Sequence, residues 1–155
     1  MLQLDLDGIK FEFEIEDYRP STRENWDYEW CMVCAKAYSQ TPGINYEVHS
    51  ECMLCCEVEW LYKKLSELMD GTMTETTEIS NIEPDFEYKL SPGNNNTYCL
   101  EWKFNLWNGG MLTCNSILIT LDSGDIKELQ KYLLNSRQAY KSSLRISKFI
   151  SSGYS

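Results

Sequence analysis

An α+β fold, a largely antiparallel β-sheet with two amphipathic helices packed on it, is what this sequence predicts, and three observations predict it. Residues 97 to 121, TYCLEWKFNLWNGGMLTCNSILITL, read as one long hairpin. In it Tyr98, Leu100, Trp102, Phe104 and Leu106 alternate with Cys99, Glu101, Lys103, Asn105 and Trp107, the period of two expected where one sheet face is buried. Elsewhere the period becomes helical, with Leu54, Val58, Leu61, Leu65 and Leu68 on one stripe and Ile126, Leu129, Leu133 and Tyr140 on another. Five Trp and ten Tyr in 155 residues favour sheet, and a hydrophobic content of 43% suffices for a substantial core.

Taken in order, Leu2 to Leu6, the Asp7-Gly8 turn and Ile9 to Ile15 make an opening hairpin. Its second strand puts Ile9, Phe11, Phe13 and Ile15 on one face and Lys10, Glu12, Glu14 and Glu16 on the other. DYRPSTREN, residues 17 to 25, is a polar loop, and Trp26 to Tyr38 reads as a long strand. Thr41-Pro42-Gly43 turns the chain into Ile44 to His49, with Ile44, Tyr46 and Val48 facing inward. Ser50 is the expected cap of the first helix, and Gly71 its stop.

Met73 to Ile82 and Phe86 to Leu90 are strand-like and flank Glu83-Pro84-Asp85, where proline fits an edge or a break. SPGNNN, residues 91 to 96, is a loop, and Asn95-Asn96-Thr97 is read as a polar turn. Asn108-Gly109-Gly110 supplies the left-handed backbone of a tight return. The return strand ends in Ile117 to Leu121, nearly continuous in apolar residues, so it is expected to be a central strand covered on both faces. Asp122 or Ser123 caps the second helix. From Tyr140 the chain turns basic and serine-rich, and 142–155 is expected to be a fraying tail on a single domain, 1–155. Both halves run through strands into a capped helix, a pattern open between a true repeat and shared helix grammar.

Twenty-four acidic against fourteen basic residues give a net charge of −10, which argues against a nucleic-acid partner and for a basic protein. The competing reading is that the charge only keeps the chain soluble. With no apolar run long enough to span a bilayer and no leader, the expectation is a cytoplasmic protein without a membrane partner. Seven cysteines are then expected as reduced thiols.

Chemical signatures are sparse. Cys31-x-x-Cys34 and Cys52-x-x-Cys55, separated by 17 residues, fit a zinc-ribbon spacing. However, Cys31 and Cys34 lie three apart on a strand and so face opposite ways, while Cys52, Cys55 and Cys56 are expected to open the first helix as small buried residues. The single histidine, His49, falls on the polar side of its strand, and a Cys52/His49/Glu51 catalytic group is outweighed by a solvated strand-end histidine. No glycine loop precedes a helix as phosphate binding would require. Catalytic, cofactor-binding and metal-binding residues are therefore all expected to be none. What remains are two acidic rows, Glu12, Glu14 and Glu16, and Glu83, Asp85 and Glu87, as candidate partner-binding residues.

The opening LDLDGIKFEFEI, the NWDYEWCMV strand, the YEVHSECM passage into a helix, IEPDFEYKL, and NGGMLTCNSILITLDSGDIKELQKYL resemble, in order, the WapI-like immunity proteins of bacterial polymorphic toxin systems. The resemblance spans roughly residues 1 to 135 and rests on strand and turn patterns. It implies a non-enzymatic cytoplasmic antidote that binds the toxic C-terminal domain of a cognate toxin, often one that cuts nucleic acid and is basic. It supplies no site residues. A small-molecule-binding or enzymatic domain with an aromatic pocket is the alternative, and an adaptor module with no toxin a third.

Overall fold

The chain passes twice through four antiparallel strands and into one helix. A computed structural model describes residues 1–6, 8–18, 30–39, 43, 45–80, 86–108 and 111–151. The first pass is β1 (Leu2–Leu6), β2 (Ile9–Asp17), β3 (Trp30–Ser39), β4 (Asn45–Leu54) and α1 (Cys55–Met69). The second is β5 (Thr77–Ser80), β6 (Phe86–Pro92), β7 (Tyr98–Asn108), β8 (Met111–Leu121) and α2 (Ser123–Ser151). The strands pair in chain order within two separate four-stranded sheets, β1-β2-β3-β4 and β5-β6-β7-β8. The α+β class and the two β-then-α halves are thus as the sequence implies, with the sheet divided in two.

In the first sheet the alternation of β2 does what its pattern requires: Phe11, Phe13 and Ile15 are buried. In β3, Cys31, Val33, Ala35 and Ala37 are fully buried between half-exposed neighbours. Residues 26 to 29, which the sequence assigns to this strand, lie outside the described residues. Ser50 does not cap the helix. β4 stays paired with β3 past it, through Leu54, and the pairing shifts between Cys31 opposite Met53 and Met32 opposite Glu51. Cys52 is the extra residue of that bulge, so it sits in the strand and not in the helix as expected. Cys52, Met53 and Leu54 are consequently all buried, and the chain leaves the sheet into α1.

With Leu54 at the N-cap, no cap side chain can accept a hydrogen bond. Glu57 supplies the other half of a capping box: its carboxylate accepts the Leu54 N–H at 2.6 Å. Val58, Leu61, Leu65 and Leu68 are buried along one stripe, as their spacing requires. Asp70 closes α1 and Gly71, at φ 77°, takes the left-handed position that stops it.

The second sheet departs from the sequence reading in its order. β7 is internal, but β8 is an edge strand and not a central one. Its outer face is open, with Leu118 69% exposed beside the buried Ile119, so the apolar run of β8 does not mean two covered faces. β5 is only four residues long, shorter than the Met73 to Ile82 segment expected, and β6 extends through Ser91 and Pro92. Gly109 and Gly110 are outside the described residues, although Asn108 pairs with Met111 across them. The polar turn 93–97 forms as expected, with Asn95 and Asn96 at positive φ and Gly93 N–H bonded to the Thr97 carbonyl. A Cβ at Gly93 would lie 2.8 Å from that carbonyl oxygen.

Asp122 caps α2. Its carboxylate accepts the Gly124 and Asp125 N–H groups at 2.6 and 2.9 Å, while Asp125 accepts the Asp122 N–H at 2.9 Å. α2 runs on to Ser151, into the basic stretch. Ile126, Leu129 and Leu133 are buried along it, and the Tyr140 side chain lies outside those described.

The inner faces of the two sheets meet. Trp102 of β7, fully buried, stands edge-on to Phe11 of β2 at 4.9 Å and to Tyr46 of β4 at 5.4 Å between ring centroids. Leu61 and Leu65 of α1, Leu129 of α2, and Leu4, Tyr88, Leu90, Leu100 and Leu121 of the strands surround an apolar void of about 20 Å³. The helices also tie the halves together. Tyr132 of α2 accepts the Ile15 N–H of β2 at 2.8 Å, two residues beyond Phe13, where β1 ends. Arg137 of α2 pairs with Glu59 of α1, and Tyr18 donates to the same carboxylate at 2.8 Å.

Candidate partner-binding face

Because opposed residues in an antiparallel ladder share a face, the register of the first sheet assembles its open side residue by residue. Gln3 faces Glu12, Glu12 faces Lys36, and Lys36 faces Glu47. One step along, Glu14 faces Cys34 and Cys34 faces His49. At the ends lie Asp5, Lys10, Tyr38 and Asn45 on one side and Met32 and Glu51 on the other. Glu12, Glu14 and Glu16 therefore come together on one surface, as the alternation implies.

The carboxylates are held in place. Glu12 accepts hydrogen bonds from Gln3 at 3.0 Å and from the Tyr38 hydroxyl at 3.3 Å. Glu14 lies 3.5 Å from the Met1 amine, and Glu16 is 2.9 Å from His49 Nε2. Lys36 and Glu47 pair at 2.8 Å, which raises the lysine pKa. At the centre, burial and the surrounding carboxylates push the Cys34 thiol up while Lys36 opposes them. Six carboxylates, Asp5, Glu12, Glu14, Glu16, Glu47 and Glu51, stand here against two lysines, Lys10 and Lys36, and the Met1 amine.

The open side of the second sheet is different. Glu78 receives both Lys89 and Lys103 at 2.9 Å, and Lys89 also reaches Glu101 at 3.8 Å. The hydrogen bond from Lys103, then that from Lys89, holds the Glu78 carboxyl down at about 2. Glu87 faces Lys103 across the ladder. Three carboxylates and two lysines thus nearly balance, leaving one net negative charge, which is the ordinary form of a solvated sheet face. Of the second predicted acidic row, Glu83 and Asp85 lie outside the described residues, and Glu87 belongs to this balanced surface.

No catalytic geometry accompanies the candidates the sequence raised. His49 is exposed on the open face and bound to Glu16, whereas Cys52 is fully buried on the other side of β4. Cys31 and Cys34 point to opposite faces of β3, as their spacing requires. Instead the Cys31 and Cys55 sulfurs meet at 3.3 Å in the interior. Among the described residues, Phe11, Phe13 and Tyr88 line the apolar void, which at about 20 Å³ has room for about one water molecule, and Trp60 is exposed. Among the described residues no helix is long and apolar enough to cross a membrane.

Sequence reasoning missed Asp5, Glu47, Glu51 and Tyr38 as members of the acidic face. The outward positions of β4 were readable from the inward Tyr46 and Val48, but no signal in one sequence says that β4 pairs with β3 beside β2.

Comparison with known proteins adds a family. No curated protein matches the chain. Among solved structures, that of the plant transcriptional regulator PBF-2 aligns over 91% of this chain and 85% of its own, at 10% identity and a TM-score of 0.47. The model of the immunity protein WapI-like family matches residues 1–140, nearly the whole length. On that match, the chain belongs to the WapI-like immunity protein family.

Proposed function

We propose that this protein is a non-enzymatic immunity protein that binds and neutralises the toxic C-terminal domain of a cognate polymorphic toxin, a basic and nucleic-acid-cleaving one, in the cytoplasm. The observation that carries the reading is the contrast between the two open sheet faces. One nearly balances its own charge, three carboxylates against two lysines, while the other, on β1 to β4, keeps a larger excess of carboxylate around half-exposed Met32, Cys34 and Tyr38. A basic active surface covering nucleic-acid phosphates in its working state would meet complementary charge there. Blocking needs only occupancy, so no reacting group is required of the immunity protein.

Glu12, Glu14 and Glu16 are the proposed contact residues; Glu83, Asp85 and Glu87 are a second run that this contrast does not itself support, Glu87 lying on the balanced face. Complementary charge acts mainly on association rate and is screened over about 10 Å at 0.1 M salt. Replacing Glu12, Glu14 and Glu16 with Lys should slow association with the toxin domain several-fold at low salt. Stopped-flow association across a salt series, with survival on co-expression, measures it. An unchanged rate and salt slope in this variant and in the matching one at Glu83, Asp85 and Glu87 removes the acidic faces from the proposal.

A further inference from the structure

We propose that Cys31 and Cys55 are a latent redox clasp, joined by peroxide into a disulfide that ties β3 to the first residue of α1. The pair is built by the fold. Trp30 opposes Leu54 and Cys31 opposes Met53, and the chain turns into α1 at the next residue, so Cys55 arrives beside Cys31 from 24 residues away. Their sulfurs are 3.3 Å apart, with Cys31 fully buried and Cys55 6% exposed. A disulfide closes to about 2.05 Å, so the sulfurs need to approach by little more than about 1 Å.

Three of the other thiols are placed differently. Cys34 lies on the open face of the same strand and Cys99 on the second sheet. Cys56 follows Cys55 in the helix, where consecutive side chains diverge by about 100°. Nothing in the proposed toxin contact requires this pair, so the inference stands apart from that reading.

The reaction balances with hydrogen peroxide as oxidant. The Cys55 thiolate, from the more accessible of the two thiols, attacks one peroxide oxygen, the O–O bond breaks, and hydroxide takes up a proton and leaves as water. The Cys31 thiolate then attacks the sulfenic sulfur, the S–S bond forms, and the second oxygen leaves as water. Two thiols and one peroxide give one disulfide and two waters, the two electrons passing to peroxide. The hydrogen bond to Cys55, and then burial, push the Cys31 thiol up, so Cys31 stays protonated in the folded chain and the reaction waits on local opening. Once formed, the disulfide is equally sheltered from reductant.

The full chain, purified under reductant and moved into hydrogen peroxide, should lose two hydrogens in mass. Peptide mapping after alkylation should recover one cross-linked pair containing Cys31 and Cys55. Its thermal midpoint should rise by about 5 to 15 °C, as expected for closing a loop of this length in a chain of this size. Cys56→Ala should leave the cross-link intact, and Cys31→Ser should abolish it. A cross-link between other cysteines, direct passage to sulfinic acid, an unchanged midpoint, or a pair that stays reduced even at sub-denaturing urea overturns the proposal. Should Cys31→Ser fail to fold, the wild-type peptide map decides alone.

Discussion

Ile119 and Leu118 are neighbours on β8 with opposite fates, which makes them a test of the sheet's sidedness. Ile119 is 3% exposed and faces Leu100 on β7, itself 5% exposed, whereas Leu118 is 69% exposed and faces Glu101. Truncating a buried Ile to Ala removes its transfer energy and leaves a cavity, together about 2 to 5 kcal/mol. The site cannot collapse easily, because Ile119 is held in an eleven-residue strand paired throughout with β7. Ile119→Ala should therefore lower stability by about 2 to 5 kcal/mol, or the thermal midpoint by roughly 4 to 20 °C for a domain of this size. Leu118→Ala loses almost no buried area and should change stability by less than about 0.5 kcal/mol. Urea unfolding with linear extrapolation, at matched slopes, reads both. Equal losses, or a loss at Ile119 below about 1 kcal/mol, would refute the placement of β8 with one buried and one open face.

Three further outcomes follow from individual contacts. Tyr132→Phe should cost about 1 to 3 kcal/mol in urea unfolding, because it leaves the Ile15 N–H without the 2.8 Å acceptor that replaces its missing ladder partner. Glu57→Ala should cost a similar amount, about 1 to 3 kcal/mol, since the Leu54 N–H that it caps is buried, and the loss should show as reduced α1 protection in hydrogen exchange. For Glu78 the folded carboxyl lies near 2 against an ordinary 4.5, so its contribution is present above about pH 4.5 and lost as pH falls toward 2. Glu78→Gln should flatten the acid side of a thermal midpoint against pH curve over that window, and high salt should shrink the difference between the two proteins.

What one sequence makes legible here is periodicity, and what it hides is pairing. The β2 pattern Ile9-Lys10-Phe11-Glu12-Phe13-Glu14-Ile15 states which side is buried, and Phe11, Phe13 and Ile15 are indeed in the core. The α1 stripe from Val58 to Leu68 and the cap at Asp122 were legible for the same reason, being rules of local geometry. β8 misled because a run such as Ile117 to Leu121 favours extended backbone whatever covers it, and neither its edge position nor the open face that leaves Leu118 exposed is written in that run. Ser50 misled because a good cap residue cannot begin a helix while its strand is still paired, and β4 stays paired through Leu54. The Cys31 and Cys55 contact was out of reach, since it depends on the bulge at Cys52 that turns the chain inward.

The same dependence on pairing explains why the two open sheet faces differ in charge balance. Both sheets present alternating charged residues outward, and alternation alone would make them alike. In the second, Glu78 opposes Lys89, which opposes Glu101, while Lys103 opposes Glu87, so each acid finds a base on the next strand. In the first, Glu12 opposes Gln3 and Lys36, Glu14 opposes a thiol, and Glu16 leans to His49 at a position where the β2–β3 register slips. A one-residue shift in either ladder would exchange inward and outward residues and abolish both patterns. The excess negative potential is thus a property of the register, set on the buried side by Phe11, Phe13, Val33 and Ala35, which cannot slip without exposing the core. Electrostatic steering on such a face is anchored by apolar packing, so charge reversals there should alter partner association far more than they alter folding.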